Sequence, residues 1–333
     1  MYTLDYTPYK LRDWFPEDKL QYSYLSSNPR AIELLKKNIS KIHWWELCGN
    51  PQGVSIIEQH LDQLQDNDWI NLCRNPQAIT LIENNLDKLN LRCWHELSKN
   101  PQAIHILKNN PEKTNWQTAT LNPRVEQLIC NQNLDIYWNW LCSNPRALNL
   151  IEEHLHRINW YFLSENPQAT HILEHNLDKL NWTRLSRNPQ AGFILEQHLE
   201  KIDWFELSEN PGAVSILKNN PHQIKWDHLC LNKNPEVLQL LEANIDKINW
   251  RMLSQNPIGI DIISNNLSKL YYDCWCQLSS NPGIFQIDYS LLKKRIDPLR
   301  EDLMKACFHP HRFKYYLEIY GYDIGEEEYQ SDF

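Results

Sequence analysis

An Asn-Pro pair with an aromatic residue six positions before it recurs along this chain of 333 residues, and no other feature constrains the fold as much. Successive pairs are 22 to 25 residues apart. Such self-similarity is typical of repeat proteins. In one copy Trp226 stands eight residues before Asn234, which indicates an insertion of two residues. The pairs begin at Asn28, Asn50, Asn75, Asn100, Asn122, Asn144, Asn166, Asn188, Asn210, Asn234, Asn256 and Asn281.

Each copy contains signals for two helices. Asn is a strong N-cap and Pro suits the first helical position, so each pair predicts a helix start. The apolar residues that follow, such as Val214, Ile216 and Leu217, have helical spacing. Asn176 and His198 represent a position ten residues after the cap, where we expect a left-handed helix end. This predicts a helix of roughly nine residues, and the WxxL[SCT] motif predicts a short α- or 3₁₀-helix.

One copy cannot be stable alone, because ordering about 22 residues costs roughly 20–40 kcal/mol. Its apolar side chains return only about 10–15 kcal/mol. We therefore expect an all-α fold: an elongated α-solenoid of about 12 two-helix repeats, roughly 100 Å long and capped at both ends. Residues 1–21 are expected to form an N-terminal half repeat and 22–287 the solenoid. Residues 288–333 are expected to form a degenerate last repeat, a cap and an acidic tail.

Composition limits the classes of function. The formal net charge is −9, and the tail at 321–333 carries five acidic residues and no basic one. A mildly acidic body does not suit nonspecific nucleic-acid binding. Neither an N-terminal apolar segment nor a run of about 18 apolar residues is present, so we expect an intracellular protein that is neither secreted nor membrane-spanning.

No catalytic or metal motif stands out from the repeat. Cys48, Cys73, Cys142 and Cys230 occupy the fourth position after the repeat Trp, where other copies carry Ser or Thr. We expect reduced, structural thiols there. Phosphate loops, nucleophile elbows and HExxH motifs are missing, so we expect no enzyme activity, no metal site and no cofactor.

Two sets of variable positions could bind a partner. The repeat Trp is expected in the core, whereas the two positions after it vary freely, and exposed aromatic residues there would suit a protein-binding surface. The alternative is that these side chains pack between neighbouring turns. The other variable position lies five residues after the Asn, with mostly acidic residues three positions further on, which argues against an RNA groove there. The candidate partner surface consists of Trp45, His95, Trp140, Tyr161, Phe162, Phe205 and Arg251.

The unit WxxLSxNPxAIxxLxxN, followed near the C-terminus by HPHRFKYYLEIYGYD, resembles the short helical repeat proteins that giant DNA viruses of the mimivirus type encode in many copies. This resemblance covers nearly the whole chain. It implies a helical-repeat fold and a viral, intracellular setting, in the host cytoplasm or the virion. It carries no catalytic residues across.

These observations favour a non-enzymatic scaffold or adaptor that binds other proteins, including host proteins. Two alternatives stay open. One is a repeat protein that recognises RNA or single-stranded DNA, and the other is a structural component of the virion.

Overall fold

The computed structural model describes residues 8–129 and 137–307. Residues 11–285 form one compact unit, and residues 1–10 with 286–333 form another. Residue 132, ten positions after Asn122, and residues 308–333 of the expected last repeat, cap and acidic tail lie outside the described residues.

Twelve helices contain the repeat aromatic or begin at it, and we call them first helices. Their aromatic residues number the repeats, from repeat 1 at Tyr22 to repeat 12 at Trp275. The first helices are α1 (Tyr22–Leu25), α3 (Trp44–Gly49), α5 (Asp68–Arg74), α7 (Leu91–Leu97), α9 (Trp116–Ala119), α11 (Trp138–Ser143), α13 (Trp160–Leu163), α15 (Trp182–Arg187), α17 (Trp204–Glu209), α19 (Trp226–Leu229), α21 (Trp250–Gln255) and α23 (Tyr272–Ser280).

Repeats 1 to 11 each add a second helix after the Asn. In repeat 12 a short strand, β2 (Phe285–Ile287), follows the Asn instead and pairs with β1 (Tyr9–Leu11). The final helix, α24, spans Tyr289–Cys307. The second helices are α2 (Ile32–Lys36), α4 (Val54–Gln59), α6 (Ile79–Glu83), α8 (Ile104–Asn109), α10 (Val125–Ile129), α12 (Leu148–Glu152), α14 (Thr170–Leu173), α16 (Gly192–Glu196), α18 (Val214–Asn219), α20 (Val237–Glu242) and α22 (Ile260–Ser264).

Short 3₁₀-helices complete the repeats. Most follow a second helix or, at the N-terminus, precede α1; four others directly follow the repeat Asn. The first group is Glu17–Lys19, Ile39–Lys41, Leu61–Gln63, Leu86–Lys88, Leu155–Arg157, Leu177–Lys179, Leu199–Lys201, Pro221–Gln223, Ile245–Lys247 and Leu267–Lys269. The second group is Pro76–Ala78, Pro145–Ala147, Pro257–Gly259 and Pro282–Ile284.

The all-α repeat solenoid is confirmed, but its details differ from the expectation. The second helices span only four to six residues, because the residues after the Asn form a separate tight turn. Ala31, for example, has φ −87° and ψ 0° just before α2. The expected left-handed helix end is wrong: Asn38 has φ −133°. Its side chain instead donates a hydrogen bond to the carbonyl of Leu34, four residues earlier.

The repeat Asn joins neighbouring repeats as well as starting a turn. In Asn50 the side-chain oxygen accepts a hydrogen bond from the amide of Gln52, two residues on. Its side-chain nitrogen donates to the carbonyls of Ser26 and Asn28 in repeat 1, at 3.0 Å each. Asn50 is 1% exposed, so these carbonyls have no access to water as an alternative partner. We call the asparagines in this position the ladder asparagines.

In repeat 10 the ladder position belongs to Asn232 and not to Asn234. Asn232 is fully buried and donates to the carbonyls of Ser208 and Asn210. Asn234 is only partly buried and donates to the carbonyl of Pro211. The two extra residues therefore lie between the ladder Asn and the Pro, which the Asn-Pro spacing alone did not predict.

A hydroxyl provides a second link between repeats. Ser186 is fully buried, donates to the carbonyl of Trp182 at 2.8 Å and accepts from the amide of Asp203 in the next repeat at 3.1 Å. In repeat 6 the sulfur of Cys142 accepts from the amide of Asn159 at 3.4 Å. The position therefore selects a small side chain that can also accept a hydrogen bond.

The repeats of residues 11–285 close on themselves. Asn28 of repeat 1 donates to the carbonyls of Ser279 and Asn281 of repeat 12, at 3.0 Å each. The amide of Gln21 donates to the hydroxyl of Ser279, and α1 packs on α23. These contacts are the same as those between consecutive repeats. The expected elongated body with two capped ends is therefore replaced, in this unit, by a closed ring.

The N-terminal segment completes the last repeat. Arg12 donates its amide to the carbonyl of Ile284, and the ring of Phe15 lies edge-on to that of Trp275 at 5.3 Å. The 3₁₀-helix Glu17–Lys19 then leads into α1. The twelfth repeat is therefore built from both ends of the chain, with its turn supplied by the N-terminal segment.

The ring has two rows of helices. At seven of the twelve joints the neighbouring first helices are in extensive contact, whereas among the second helices of the described residues this is true only of α8 with α10. Because spacing is tighter on the concave side of a curved array, the first helices form the inner wall and the second helices the outer row. The Leu three positions after the aromatic, such as Leu47 and Leu185, is fully buried between the rows.

Ring closure predicts equal effects for two ladder substitutions. Asp keeps the capping oxygen but cannot donate to the two carbonyls of the preceding repeat. Asn28→Asp and Asn50→Asp should each lower the free energy of unfolding by about 2–4 kcal/mol, because each leaves buried carbonyls without a donor. Urea denaturation measures this. In an open solenoid Asn28→Asp would cost almost nothing, and Asn234→Asp, at a partly buried site, serves as the control.

Two variants of Ser186 test the hydroxyl link, and one of them introduces the Cys that other repeats carry at this position. Ser186→Ala removes both hydrogen bonds and should destabilise the protein by about 1–2 kcal/mol. Ser186→Cys should cost less, because Cys142 makes the equivalent link in repeat 6. Equal melting temperatures for the Ala variant and the wild type would contradict this role.

Candidate interaction surface on the inner wall

The seven candidate residues all lie on first helices, at the two positions after the repeat aromatic. Tyr161 and Phe205 are 45% and 55% exposed. Trp45, His95, Trp140, Phe162 and Arg251 are partly buried. Among the seven candidates, exposed aromatic surface therefore lies at repeats 7 and 9. Two other aromatic residues of the first helices, Tyr24 and Tyr272, are also exposed, at 39% and 67%.

The repeat aromatic itself is fully buried in only two repeats. Trp69 and Trp94 are 6% and 3% exposed, whereas the remaining repeat aromatics are partly buried. In six repeats a cation from the following turn lies over the aromatic ring, 4.6 to 5.4 Å from its centroid. These pairs are Lys41–Tyr22, Lys113–Trp94, Arg157–Trp138, Lys179–Trp160, Lys201–Trp182 and Lys247–Trp226.

Positions that the sequence showed as freely variable form charged pairs across the repeats. The second residue after the aromatic meets the fifth residue after the aromatic of the preceding repeat. Glu96 accepts from Arg74 at 2.9 Å, and Arg187 forms a two-point pair with Glu206. These pairs cross-link consecutive first helices along the inner wall.

Glu96 is the most buried of these carboxylates, at 9% exposure. Burial alone raises its pKa, but the hydrogen bonds from Arg74 and Lys99 outweigh burial, so the pKa lies below the ordinary value. The ion pair therefore stabilises the fold at neutral pH.

Around Tyr161 the aromatic surface is already occupied from within the chain. The Arg184 guanidinium lies over the Tyr161 ring at 4.5 Å and over the Phe162 ring at 5.8 Å. It also donates to the Tyr161 hydroxyl at 2.9 Å and pairs with Glu165. Hydrogen bonds to Tyr161 and Glu165 raise the pKa of Arg184. This cluster of repeats 7 and 8 is a rigid, partly covered patch.

Phe205 offers a less covered surface. Its ring lies edge-on to His228 of repeat 10 at 5.2 Å, and the Lys225 ammonium lies 5.2 Å from its centroid. The Nδ1 atom of His228 is buried without a hydrogen-bond partner and stands 3.6 Å from the Glu209 carboxylate. A polar atom next to this aromatic ring therefore has unused hydrogen-bonding capacity.

A groove of about 580 Å³ lies across repeats 8 to 10, and Glu206, the residue after Phe205, is part of its lining. It combines a paired arginine, two carboxylates, an apolar rim and the amine of Lys233, which belongs to the insertion in repeat 10. Sequence reasoning missed this groove, although the insertion was a visible departure from the repeat. Its lining residues are Arg187, Glu206, Glu209, Asn210, Pro211, Leu231 and Lys233.

The other candidates are dispersed around the ring. Trp140 packs edge-on against Tyr137 at 5.0 Å, and His95 Nδ1 lies 3.4 Å from the side-chain amide of Asn115. The backbone carbonyl of Trp45 accepts from Asn71 at 2.7 Å. These residues lie in repeats 2, 4 and 6, and Arg251 lies in repeat 11, so they do not form one patch with Phe205.

The outer row carries its own links. His105 lies 3.3 Å from Glu83, His171 lies 2.8 Å from Glu152, and the Ser215 hydroxyl donates to Glu196 at 3.0 Å. The acidic positions predicted from the sequence are exposed on this row. The outer face therefore presents carboxylates that are partly engaged with the next repeat.

Among residues 8–129 and 137–307, no group of three or more His, Cys, Asp or Glu side chains is arranged to hold a metal ion. None of the helices within those ranges has the length and apolar character needed to cross a membrane. Comparison with protein-family models, with curated proteins and with solved structures gives no match.

The Glu96 pair predicts a pH dependence. The pKa of Glu96 is lower in the folded protein than in the unfolded chain. The ion pair therefore stabilises the fold above the unfolded pKa of about 4.3, and this stabilisation is lost as pH falls through the folded pKa. Glu96→Gln should therefore lower the free energy of unfolding by about 1–3 kcal/mol at pH 7. The gap between wild type and variant, measured by urea denaturation, should narrow below pH ~4. A constant gap down to pH ~3 would contradict this assignment.

Proposed function

We propose that this chain is a non-enzymatic scaffold that binds another protein through the inner wall of repeats 8 to 10. The observation that carries the proposal is the exposed ring of Phe205, whose neighbour in α17, Glu206, lines the groove of about 580 Å³. An exposed aromatic residue next to a concave site with mixed charges is the usual arrangement of an interface anchor and its polar rim. The resemblance to giant-virus repeat proteins would make the partner a viral or a host protein.

The chemistry of the groove supports a polypeptide partner. Leu231 and Pro211 offer apolar contacts, while Glu209 and Lys233 offer an acceptor and a donor. Peptide groups and mixed side chains satisfy such a surface. The scaffold proposal includes the absence of enzymatic activity.

Nucleic-acid recognition is the second candidate, and two observations weigh against it. Cations of the chain itself cover one face of the repeat aromatic in six repeats, so those faces are unavailable for base stacking. The outer row presents carboxylates, which repel phosphates. Self-assembly into a virion component is the third candidate, and concentration-dependent polymerisation of the pure protein would favour it.

The chain provides a matched pair of variants for the test. Phe205→Ala removes an exposed aromatic residue from the inner wall, and Phe193→Ala removes one of 44% exposure from the outer row. In affinity capture from cell lysate followed by mass spectrometry, Phe205→Ala should reduce capture of specific proteins about tenfold or more. Phe193→Ala should leave their capture unchanged.

Both variants must retain the wild-type helical circular dichroism, which shows that any loss is not unfolding. Nuclease treatment should leave the captured proteins in place. Capture that disappears with nuclease, or that declines steeply with salt, would support nucleic-acid binding instead. Equal capture by both variants and the wild type would rule out the Phe205 surface.

A further inference from the structure

A ladder Asn joins the repeats at all twelve joints, but one joint differs in how the chain passes through it. At the other eleven joints the two repeats follow each other directly in the sequence. At the joint between repeats 12 and 1, the contacts connect residues far apart in sequence. Gln21 and Ser279 are 258 residues apart, and Asn28 and Ser279 are 251 apart. This joint is therefore held by noncovalent contacts alone.

The N-terminal segment that leads from β1 into α1, which we call the strap, crosses this joint. It continues covalently into α1, and it is fastened to repeat 12 by the amide of Arg12 on the carbonyl of Ile284 and by Phe15 on Trp275. Arg30 adds hydrogen bonds from its guanidinium to the carbonyls of Pro282 and Phe285, at 3.2 and 3.5 Å. Release of these contacts would free the strap together with repeat 1.

Breaking any other joint gives a much smaller opening. There the two repeats are adjacent in the sequence, so they are returned to contact at high effective concentration. At the joint between repeats 12 and 1 no such tether exists. Because the repeats share the curvature of the ring, a small change in rotation at each of the other joints adds up to a wide separation here.

We propose that the joint between repeats 12 and 1 is a gate, at which the ring of residues 11–285 opens while the other eleven joints stay closed. The gate consists of the strap, its fastening to repeat 12 and the ladder contacts of Asn28. It does not depend on the identity of a partner or on the Phe205 surface.

Amide hydrogen exchange tests the gate directly, because the chain repeats the same hydrogen bond at several joints. The amide of Gln21 donates to Ser279, just as the amides of Asn181 and Asp203 donate to Ser164 and Ser186. In the full-length protein, Gln21 should exchange at least about tenfold faster than Asn181 and Asp203, since local opening sets the exchange rate. Equal exchange at the three amides would overturn the proposal.

A reversible covalent latch provides the second measurement. The hydrogen bonds of Arg12 to Ile284 and of Asp288 to Pro8 indicate antiparallel pairing, which makes Tyr9 and Ile287 a non-hydrogen-bonded pair. The Cα atoms of such a pair lie about 4.5 Å apart, within the range of a disulfide. On oxidation, Tyr9→Cys and Ile287→Cys should therefore form a disulfide that holds β1 against β2 and closes the strap. Cys130→Ser and Cys307→Ser are included so that these two thiols do not compete for the disulfide.

The oxidised latch should slow exchange at Gln21 to the level of Asn181, and reduction should restore the faster rate. Exchange at Asn181 and Asp203 should be the same in both states. An oxidised latch that leaves the Gln21 rate unchanged would show that the strap does not control opening, and the proposal would fail.

Discussion

The structure depends on the side-chain amide of one asparagine per repeat. Its oxygen fixes the turn that begins the second half of its own repeat, and its nitrogen holds two carbonyls of the repeat before, as Asn50 does. No other small side chain offers an acceptor and a two-hydrogen donor in this geometry. Because the group is buried, local turn formation and contact between repeats become a single interaction. The same set of coupled hydrogen bonds therefore recurs in each repeat around the ring.

Residues that take no part in the ladder hydrogen bonds differ between repeats, and they lie on the inner wall and the outer row. Many of the variable residues still connect neighbours, through pairs such as Arg74 with Glu96 or His171 with Glu152. Few aromatic side chains of the first helices remain exposed. Phe205 is one of them, and its neighbour Glu206 lines the groove that reaches the one repeat in which the Asn and the Pro are separated.

The sequence predicts the repeat and its helical character, because capping residues and apolar spacing act over a few residues. It does not predict closure, since the contact of Asn28 with Ser279 depends on the summed rotation of all the repeats. Asn232 shows a similar limit: the Asn-Pro pair pointed to Asn234, whereas distance from Trp226 would have identified the buried ladder residue. The candidate positions on the inner wall were visible as variable aromatic residues, but their partners across the joints, such as Arg184 on Tyr161, required the fold.

Closure also has a consequence for biosynthesis. Repeat 1 leaves the ribosome early, but its partner Ser279 follows 258 residues after Gln21. At ordinary translation rates this interval is on the order of tens of seconds. During it the nascent chain is an unfinished arc whose leading repeat has an unused ladder donor and an uncovered packing face. Two such arcs on one polysome have complementary ends, so we expect the spacing of ribosomes and the speed of elongation to influence whether a chain pairs with its own last repeat or with that of its neighbour.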